Sequence, residues 1–410
     1  MRKSLLLAAL MLTTILVKAQ NVLPIQYDSL LYKQEFILSG TLDYSSTSIY
    51  NYMAEKLIFG GQITDEVINH TYDKGHKGIN RFGIDASAEF EYRNMNVNLF
   101  KNEKYGFVVK AGYYNYASAI YAKDLFGLTF FGNERYLGGD ADFSGSKFSA
   151  ITFQKIGFGA IDKKSKSSLS LNYYNFSNYA EGFINDGYLY QSESGDSVSL
   201  TLDGQFDFAG SSSFMKGYGV GLDVDYRFAV TINPEKSAII QLQAKNIGFA
   251  QMTSKLTRYK VDTLLTFEGF TFDQLIGNSN VLDNGTSILD TLGIDSLSVT
   301  KFRILPGYIQ VGKIVDESSQ QRLQGFFGVR LYTISTYAPL VFGGAHVRAN
   351  SWLSFGVNAS YGGFTRFRAG LYAQSSFKNM TIALASEDVV GLVSNQGKGK
   401  SVILRLRYKI

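Results

Sequence analysis

The ten residues Ser401–Ile410, SVILRLRYKI, alternate between apolar and basic side chains. Leu404 and Leu406 fall on one face of an extended strand, and Arg405 and Arg407 fall on the other, because successive strand side chains point to opposite faces. Such a strand suits a boundary between an apolar medium and a polar one. The stretch is typical of the wall of a transmembrane β-barrel.

The chain begins with the features of a secretory signal peptide. Arg2 and Lys3 precede an apolar run over residues 5–17, and a small residue, Ala19, follows Lys18. The run is shorter than the roughly 20 residues that a membrane helix needs. We expect cleavage after Ala19, which lowers the formal net charge from +5 to +2 by removing three basic residues. This near-neutral balance gives no electrostatic reason to expect nucleic acid as a partner.

The composition favours one large β unit. The chain contains 27 Tyr, 31 Phe and 41 Gly, but only 4 Pro and no Cys. Aromatic residues suit strands and membrane interfaces, and scarce proline preserves the hydrogen bonds between strands. After the signal peptide, no segment has the roughly 18 consecutive apolar residues of a membrane helix. The missing cysteines exclude disulfides and thiolate metal sites.

Four other stretches repeat the alternating pattern of the C-terminal strand: 81–93, 198–208, 218–228 and 352–361. Each has about the 9–11 residues of a tilted membrane-spanning strand. Weaker strands are predicted at 105–116, 147–160, 167–176, 237–248, 301–314, 322–334, 339–349, 365–376 and 379–387. The apolar phase slips at Pro306, which predicts a β-bulge there. We therefore predict an all-β fold, a transmembrane antiparallel barrel of about 14 strands closed by its C-terminal strand against an early one.

A soluble β-sandwich is the alternative, since its strands also alternate between an apolar and a polar face. Sandwich domains usually have seven to nine strands. Here the strands are more numerous, and the sequence shows no linker and no helix between them. Tyr and Phe also recur at strand ends, as interfacial girdles require. These features favour the barrel.

Three regions follow from this interpretation. Residues 1–19 are the signal peptide, residues 20–75 hold an N-terminal periplasmic arm, a first strand and a lid, and residues 76–410 form the barrel. Within the barrel, residues 250–300 are polar and do not resemble membrane strands, so we expect a long loop or cap insertion. This segment either forms an extracellular cap, folds into the lumen or is a solvated loop.

The sequence contains no catalytic constellation. His70 and His76 are six residues apart in a polar stretch, and His346 has no evident partner ligands. Residues 139–145 begin like a calcium loop, but Ile151 occupies the position of the essential twelfth carboxylate. We therefore predict no enzymatic activity, no metal and no cofactor.

The polar faces of the predicted strands carry the residues with a candidate function. Fifteen charged side chains are expected to line the lumen: Arg81, Asp85, Glu89, Arg93, Asp203, Asp207, Asp223, Asp225, Arg227, Lys245, Arg348, Arg366, Arg368, Arg405 and Arg407. They either select solutes by charge in a hydrated lumen or brace a closed barrel as cross-strand ion pairs. Because both signs are interleaved, bracing is favoured.

Short motifs along the chain resemble a Bacteroidota outer-membrane β-barrel family of unknown function, related to FadL-like and PorV-like barrels. The motifs are Asp124-Leu125-Phe126, Phe131-Gly132-Asn133, residues 154–159, residues 218–228, residues 245–249, residues 267–270, residues 361–364 and residues 387–392. The resemblance covers most of the chain after the signal peptide and supplies no catalytic residues. The Asn-Pro-Ala element of many related barrels is absent, so neither fatty-acid transport nor a secretion role transfers directly.

Two functions from different classes remain open. The first is a passive or FadL-like channel for a small or hydrophobic solute in the cell outer membrane, where lumen charges select and residues 250–300 gate. The alternative is a non-transporting barrel for docking or assembly, with secretion-associated or surface proteins as partners. A third, more distant, is a soluble exported β-protein that binds a ligand. Outer-membrane lipid and the barrel-assembly machinery are expected partners of either barrel, and nucleic acid is not.

Overall fold

The computed structural model describes residues 26–27, 32–209, 214–233, 236–267 and 295–410. The expected signal peptide lies outside them. Eighteen strands are found in these residues: β1 Gln26–Tyr27, β2 Gln34–Ser46, β3 Ile79–Asn94, β4 Tyr105–Ala122, β5 Gly139–Asp142, β6 Lys147–Asp162, β7 Ser168–Gln191, β8 Val198–Ala209, β9 Gly217–Asn233, β10 Lys236–Phe267, β11 Asp295–Ile304, β12 Tyr308–Asp316, β13 Leu323–Tyr332, β14 Ala338–Arg348, β15 Leu353–Gly363, β16 Phe367–Phe377, β17 Met380–Ser386 and β18 Gly399–Lys409.

Short helices interrupt the strands, contrary to the prediction from sequence. They are α1 Asn51–Phe59, α2 Asp65–Lys74, α3 Lys123–Phe131 and α4 Val389–Val393, with 3₁₀ turns at Leu99–Lys101 and Glu134–Tyr136. Periodicity alone missed them because each is ten residues or fewer. None of the described helices has the length and apolar character needed to cross a bilayer.

Fourteen of the strands pair in turn to close an antiparallel ring: β2, β3, β4, β6, β7, β9, β10, β12, β13, β14, β15, β16, β17 and β18, which returns to β2. The closing pair joins Gly399–Lys409 to residues 35–45 through eleven register pairs. The predicted barrel and its closure by the C-terminal strand are both confirmed.

Burial in the wall is reversed relative to a soluble protein. On β7, Leu171 is 64% exposed whereas the adjacent Asn172 is 1% exposed. Leu169 is likewise exposed beside the buried Ser170. An apolar exterior around a polar interior is the pattern of a transmembrane barrel, because lipid is the solvent outside.

A smaller group of strands extends the ring on one side. β10 runs for 32 residues, and its second half pairs with β8 and β11 rather than with ring strands. β8 also pairs with the second half of β7. The prediction that residues 250–300 form no strand is therefore wrong for residues 250–267 and 295–300, and residues 268–294 lie outside the described part. The β-bulge predicted at Pro306 is not found. Residues 305–307 separate β11 from β12, but the pairs Ile304–Phe249 and Tyr308–Lys245 keep one register with β10, so no extra residue is inserted.

Two apolar clusters occupy much of the barrel interior. One includes Tyr114, Phe153 and Phe176, and the other includes Phe326 and Tyr372. The rings of Tyr114 and Phe153 stack at 4.9 Å, and Phe153 and Tyr174 meet edge to face at 5.5 Å. These side chains replace water in the lumen and leave only limited space for solute.

Candidate functional site in the barrel lumen

A cavity of about 150 Å³ lies inside the barrel. We call it the lumen cavity. Its charged lining comes from six acidic and seven basic side chains: Asp85, Glu89, Glu91, Asp223, Asp225, Glu317, Arg93, Lys110, Arg227, Lys245, Arg330, Arg405 and Arg407. All of them except Glu317, which lies in the turn after β12, are on strands and point inward as members of an alternating pattern. The cavity is therefore polar and small.

Nine of the fifteen residues expected in the lumen line this cavity: Asp85, Glu89, Arg93, Asp223, Asp225, Arg227, Lys245, Arg405 and Arg407. The other six do not: Arg81, Asp203, Asp207, Arg348, Arg366 and Arg368. Two of them pair elsewhere, Arg368 with Asp43 at 2.7 Å and Asp207 with Arg258 at 2.8 Å. The sequence pattern predicts which residues of a strand face the lumen. It does not predict how far along the barrel axis each of them lies.

The most buried ion-pair network is centred on Lys155, which is fully buried. Its Nζ lies 2.7 Å from Glu89 and 2.9 Å from Asp223. Lys110 adds a second contact to Asp223 at 3.1 Å, and Lys245 adds one to Glu89 at 3.2 Å. Sequence reasoning missed Lys110 and Lys155 because they lie on strands with weak alternation. Their inward position could be found from the phase of their predicted strands, 105–116 and 147–160.

A second network joins three strands at one end of the cavity. Arg93 on β3 and Arg407 on β18 both pair with Glu35 on β2, the former at 3.1 Å. Arg407 also contacts Glu317 at 3.4 Å. Breaking a buried pair leaves an uncompensated charge, so this network constrains the three strands strongly.

Two charged groups in the lining stand outside these networks. Among the described residues, Arg405 has no hydrogen-bond or ion-pair partner, and neither does the buried Oδ1 of Asp85. The strand neighbours of Arg405 are Ser39 and Ala383, neither of which carries charge. The guanidinium of Arg405 is thus open to whatever occupies the cavity.

β2 and β3 lie side by side in the wall next to the cavity. The pairs Gln34–Asn94 and Ser46–Phe82 belong to one antiparallel register. Backbone hydrogen bonds continue this register beyond both ends, from the Thr47 N–H to the Arg81 carbonyl and from the Met95 N–H to the Lys33 carbonyl. The two strands therefore form a continuous part of the wall.

Side chains reinforce the two ends of this strand pair. At one end Glu35 pairs with Arg93, and the rings of Phe36 and Tyr92 stack at 4.8 Å. At the other end the Ser46 hydroxyl donates to the Arg81 carbonyl at 2.7 Å.

The lumen cavity lies directly against β2 and β3. Five of its lining residues come from β3 between Asp85 and Arg93, and three come from β2 between Ile37 and Thr41. On the opposite face, Gly40 is surrounded by open space, since a Cβ added there meets no atom within 4 Å. This part of the wall therefore separates a charged interior from an apolar exterior.

Among the described residues, no group of three His, Asp or Glu is placed to hold a metal ion. His346 instead bonds the Tyr372 hydroxyl at 2.7 Å inside the barrel. His70 bonds Tyr52 between two of the helices.

Comparison with known proteins gives likenesses of shape at low identity. No protein-family model matches the chain, and no curated protein matches it. Among solved structures, the Pseudomonas putida toluene transporter TodX is similar at a TM-score of 0.40 and 10% identity, over 92% of this chain and 90% of that one. The NalP translocator domain from Neisseria meningitidis is similar at a TM-score of 0.27 and 10% identity, over 92% of this chain and 88% of that one. The transport unit of the autotransporter AIDA-I from Escherichia coli is similar at a TM-score of 0.23 and 8% identity, over 98% of this chain and 96% of that one.

Proposed function

We propose that this chain is an outer-membrane channel that passes a small solute through its lumen cavity. The observation that carries the proposal is the charged lining of the cavity, in which the guanidinium of Arg405 has no ion-pair partner among the described residues. A charge that no residue of the wall neutralises can interact with a solute that passes it.

The solute class follows from the cavity. Its volume of about 150 Å³ admits only a small molecule, and its charged lining favours one with a polar group. The positive charge of Arg405 favours a solute that carries a negative charge. The protein is proposed to transport without catalysing a reaction.

Substitution of Arg405 tests the proposal. Arg405→Gln should shift the reversal potential that is measured in planar bilayers under a salt gradient toward cation selectivity, because it removes the unpaired positive charge from the lining. The matched control is Lys104→Gln, which also removes one positive charge, but from a side chain that is 64% exposed and does not line the cavity. The control should leave the reversal potential unchanged, and equal reversal potentials for Arg405→Gln and the unchanged protein would refute the path through the cavity.

The lumen ion pairs favour one other function, a non-transporting barrel for docking or assembly. Lys155, Glu89 and Asp223 fill the interior with contacts that brace the wall. Conductance in planar bilayers separates the two functions. A barrel without ion current, but with a partner that co-purifies in mild detergent, would support docking.

A further inference from the structure

A second cavity, of about 380 Å³, lies at the end of the barrel where β6 begins. We call it the vestibule. It shares no lining residue with the lumen cavity. On β7, Ser168 lines the lumen cavity, whereas Glu181 and Phe183 line the vestibule. The two cavities therefore lie at different heights along the barrel.

The turn between β13 and β14 separates the two cavities. Tyr332, the last residue of β13, lines the lumen cavity, and residues 334–336 of the turn line the vestibule. The hydroxyls of Thr336 and Ser118 share a hydrogen bond of 2.8 Å. Ser118 belongs to β4, which is six strands away from β13 in the ring of fourteen. The turn therefore reaches across the barrel and forms the floor of the vestibule.

Basic side chains outnumber acidic ones in the vestibule. Lys147, Lys301 and Arg303 line it, and Glu181 is the single carboxylate among its lining residues. Within the part of the chain that the structure describes, the side chain of Lys147 forms no ion pair. The lining therefore has an excess of positive charge.

Glu181 holds the other two cations of the lining. Its carboxylate lies 2.6 Å from Nη1 of Arg303 and 2.9 Å from Nζ of Lys301. Lys301 has a second carboxylate partner in Asp207, at 2.7 Å. Arg303 instead donates to the Ser149 hydroxyl at 3.3 Å, and its buried Nε has no hydrogen-bond partner among the described residues. Arg303 therefore keeps an unused donor at the site.

The uncharged lining of the vestibule combines hydroxyl groups with aromatic rings. Ser335 and Thr336 supply hydroxyls, and Phe148 and Phe183 supply apolar surface. Ligand sites commonly join such apolar surface to a few polar groups that fix orientation, and carboxylates form strong hydrogen bonds with cationic donors. The vestibule thus suits a small organic carboxylate, with its charge beside Lys147 and its apolar part against the rings.

The vestibule lies at the extracellular end of the barrel. The long connections 47–78 and 123–146 are at this end, whereas short turns such as 163–167 and 378–379 are at the opposite end. Outer-membrane barrels have long extracellular loops and short periplasmic turns. A solute that arrives from outside the cell therefore meets the vestibule before the lumen cavity.

We infer that the vestibule is a binding site for a small organic carboxylate, which is held there before it passes the turn 333–337 and enters the lumen cavity. The inference rests on the proposed function, because it names the solute class and the place where the solute is first bound. Binding and passage are nevertheless separate events, since different residues line the two cavities.

Fluorine NMR of 4-fluorobenzoate tests the site on the intact protein in detergent micelles, with empty micelles as the blank. The line broadening caused by the protein should be reversed by benzoate but not by benzamide, its uncharged counterpart. Lys147→Gln should raise the Kd about fivefold by removing one charge at the edge of the site. Glu181→Gln should lower the Kd about fivefold, because it frees Arg303 from its carboxylate. Tighter binding cannot result from misfolding.

The matched control is Lys77→Gln, which removes an exposed lysine at the same end of the barrel but outside the vestibule. The control should leave the Kd unchanged. An unchanged Kd in both Lys147→Gln and Glu181→Gln, or equal displacement by benzoate and benzamide, would overturn the inference.

Arg405→Gln separates this inference from the proposed function, and it should leave the Kd for 4-fluorobenzoate unchanged. Loss of binding in Arg405→Gln but not in Lys147→Gln would put the carboxylate in the lumen cavity, which overturns the vestibule site and keeps the proposed function. A Kd that follows the vestibule variants, in a barrel whose reversal potential does not respond to Arg405→Gln, would keep the site and refute the path through the lumen cavity.

Discussion

The two buried ion-pair networks of the lumen hold different parts of the wall. The Lys155 network contacts side chains on β3, β4, β9 and β10, namely Glu89, Lys110, Asp223 and Lys245. The Glu35 network joins β2 to β3 and to β18. β2 and β18 come from opposite ends of the chain, and closing a barrel between distant strands costs more chain entropy than joining consecutive ones.

The difference lies in the strands that each network connects. Glu35 lies on the strand at which the ring closes, and its partners Arg93 and Arg407 lie on the two neighbours of that strand. The Lys155 network includes neither β2 nor β18. The Glu35 network is therefore the one that reinforces the closure of the ring.

The largest effect is expected from Glu35→Gln, which removes the carboxylate shared by the two neighbours of β2 at the closure of the ring. The change leaves Arg93 and Arg407 without their shared carboxylate. Removing one partner of a buried pair costs about 3–5 kcal/mol of unfolding free energy. Urea unfolding in lipid vesicles, followed by fluorescence of Trp352, the single tryptophan, measures the loss.

Lys104→Gln is the control for that measurement. Lys104 pairs with Asp162 at 3.6 Å, but its side chain is 64% exposed. An exposed pair contributes about 0–1 kcal/mol. Equal losses in the two variants would mean that the Glu35 network does not reinforce the closure of the ring.

Two glycines give the smallest and most local test. A Cβ at Gly248 on β10 would lie 2.2 Å from the Val220 carbonyl, across a continuous ladder. Gly248→Ala should therefore cost about 1–3 kcal/mol through overpacking. Gly40→Ala, in the open space on the outer face of β2, should change stability by less than about 0.5 kcal/mol. The same urea assay applies, and a large loss at Gly40 would show that this face of β2 is closely packed.

The sequence predicted the barrel because alternation is a property of each strand by itself. Residues 401–410 and 218–228 carry the pattern without reference to any neighbour. Pairing between strands is different, since nothing in residues 35–45 states which residues of β18 they will meet. The register of the closing pair therefore could not be predicted from periodicity.

The lining of the lumen cavity was predicted only in part. The inward phase of clear strands identified Asp85, Asp223 and Arg407, whereas Lys155 lies on a strand whose polar face is mixed. Depth along the barrel depends on tilt and register, which the sequence does not give. This is why Asp203 and Asp207 were grouped with residues that line the cavity.

The long strand β10 has a consequence for the surroundings of the protein. The twelve residues Leu256–Phe267 pair with β8, beyond the last contact of β10 with β9, and at about 3.3 Å per residue they add some 40 Å of contour length. The second half of β7 pairs with β8 in the same extension. The sheet therefore continues past the ring on this side only, so a larger molecule that approaches this rim meets an uneven edge and not a level circle of turns.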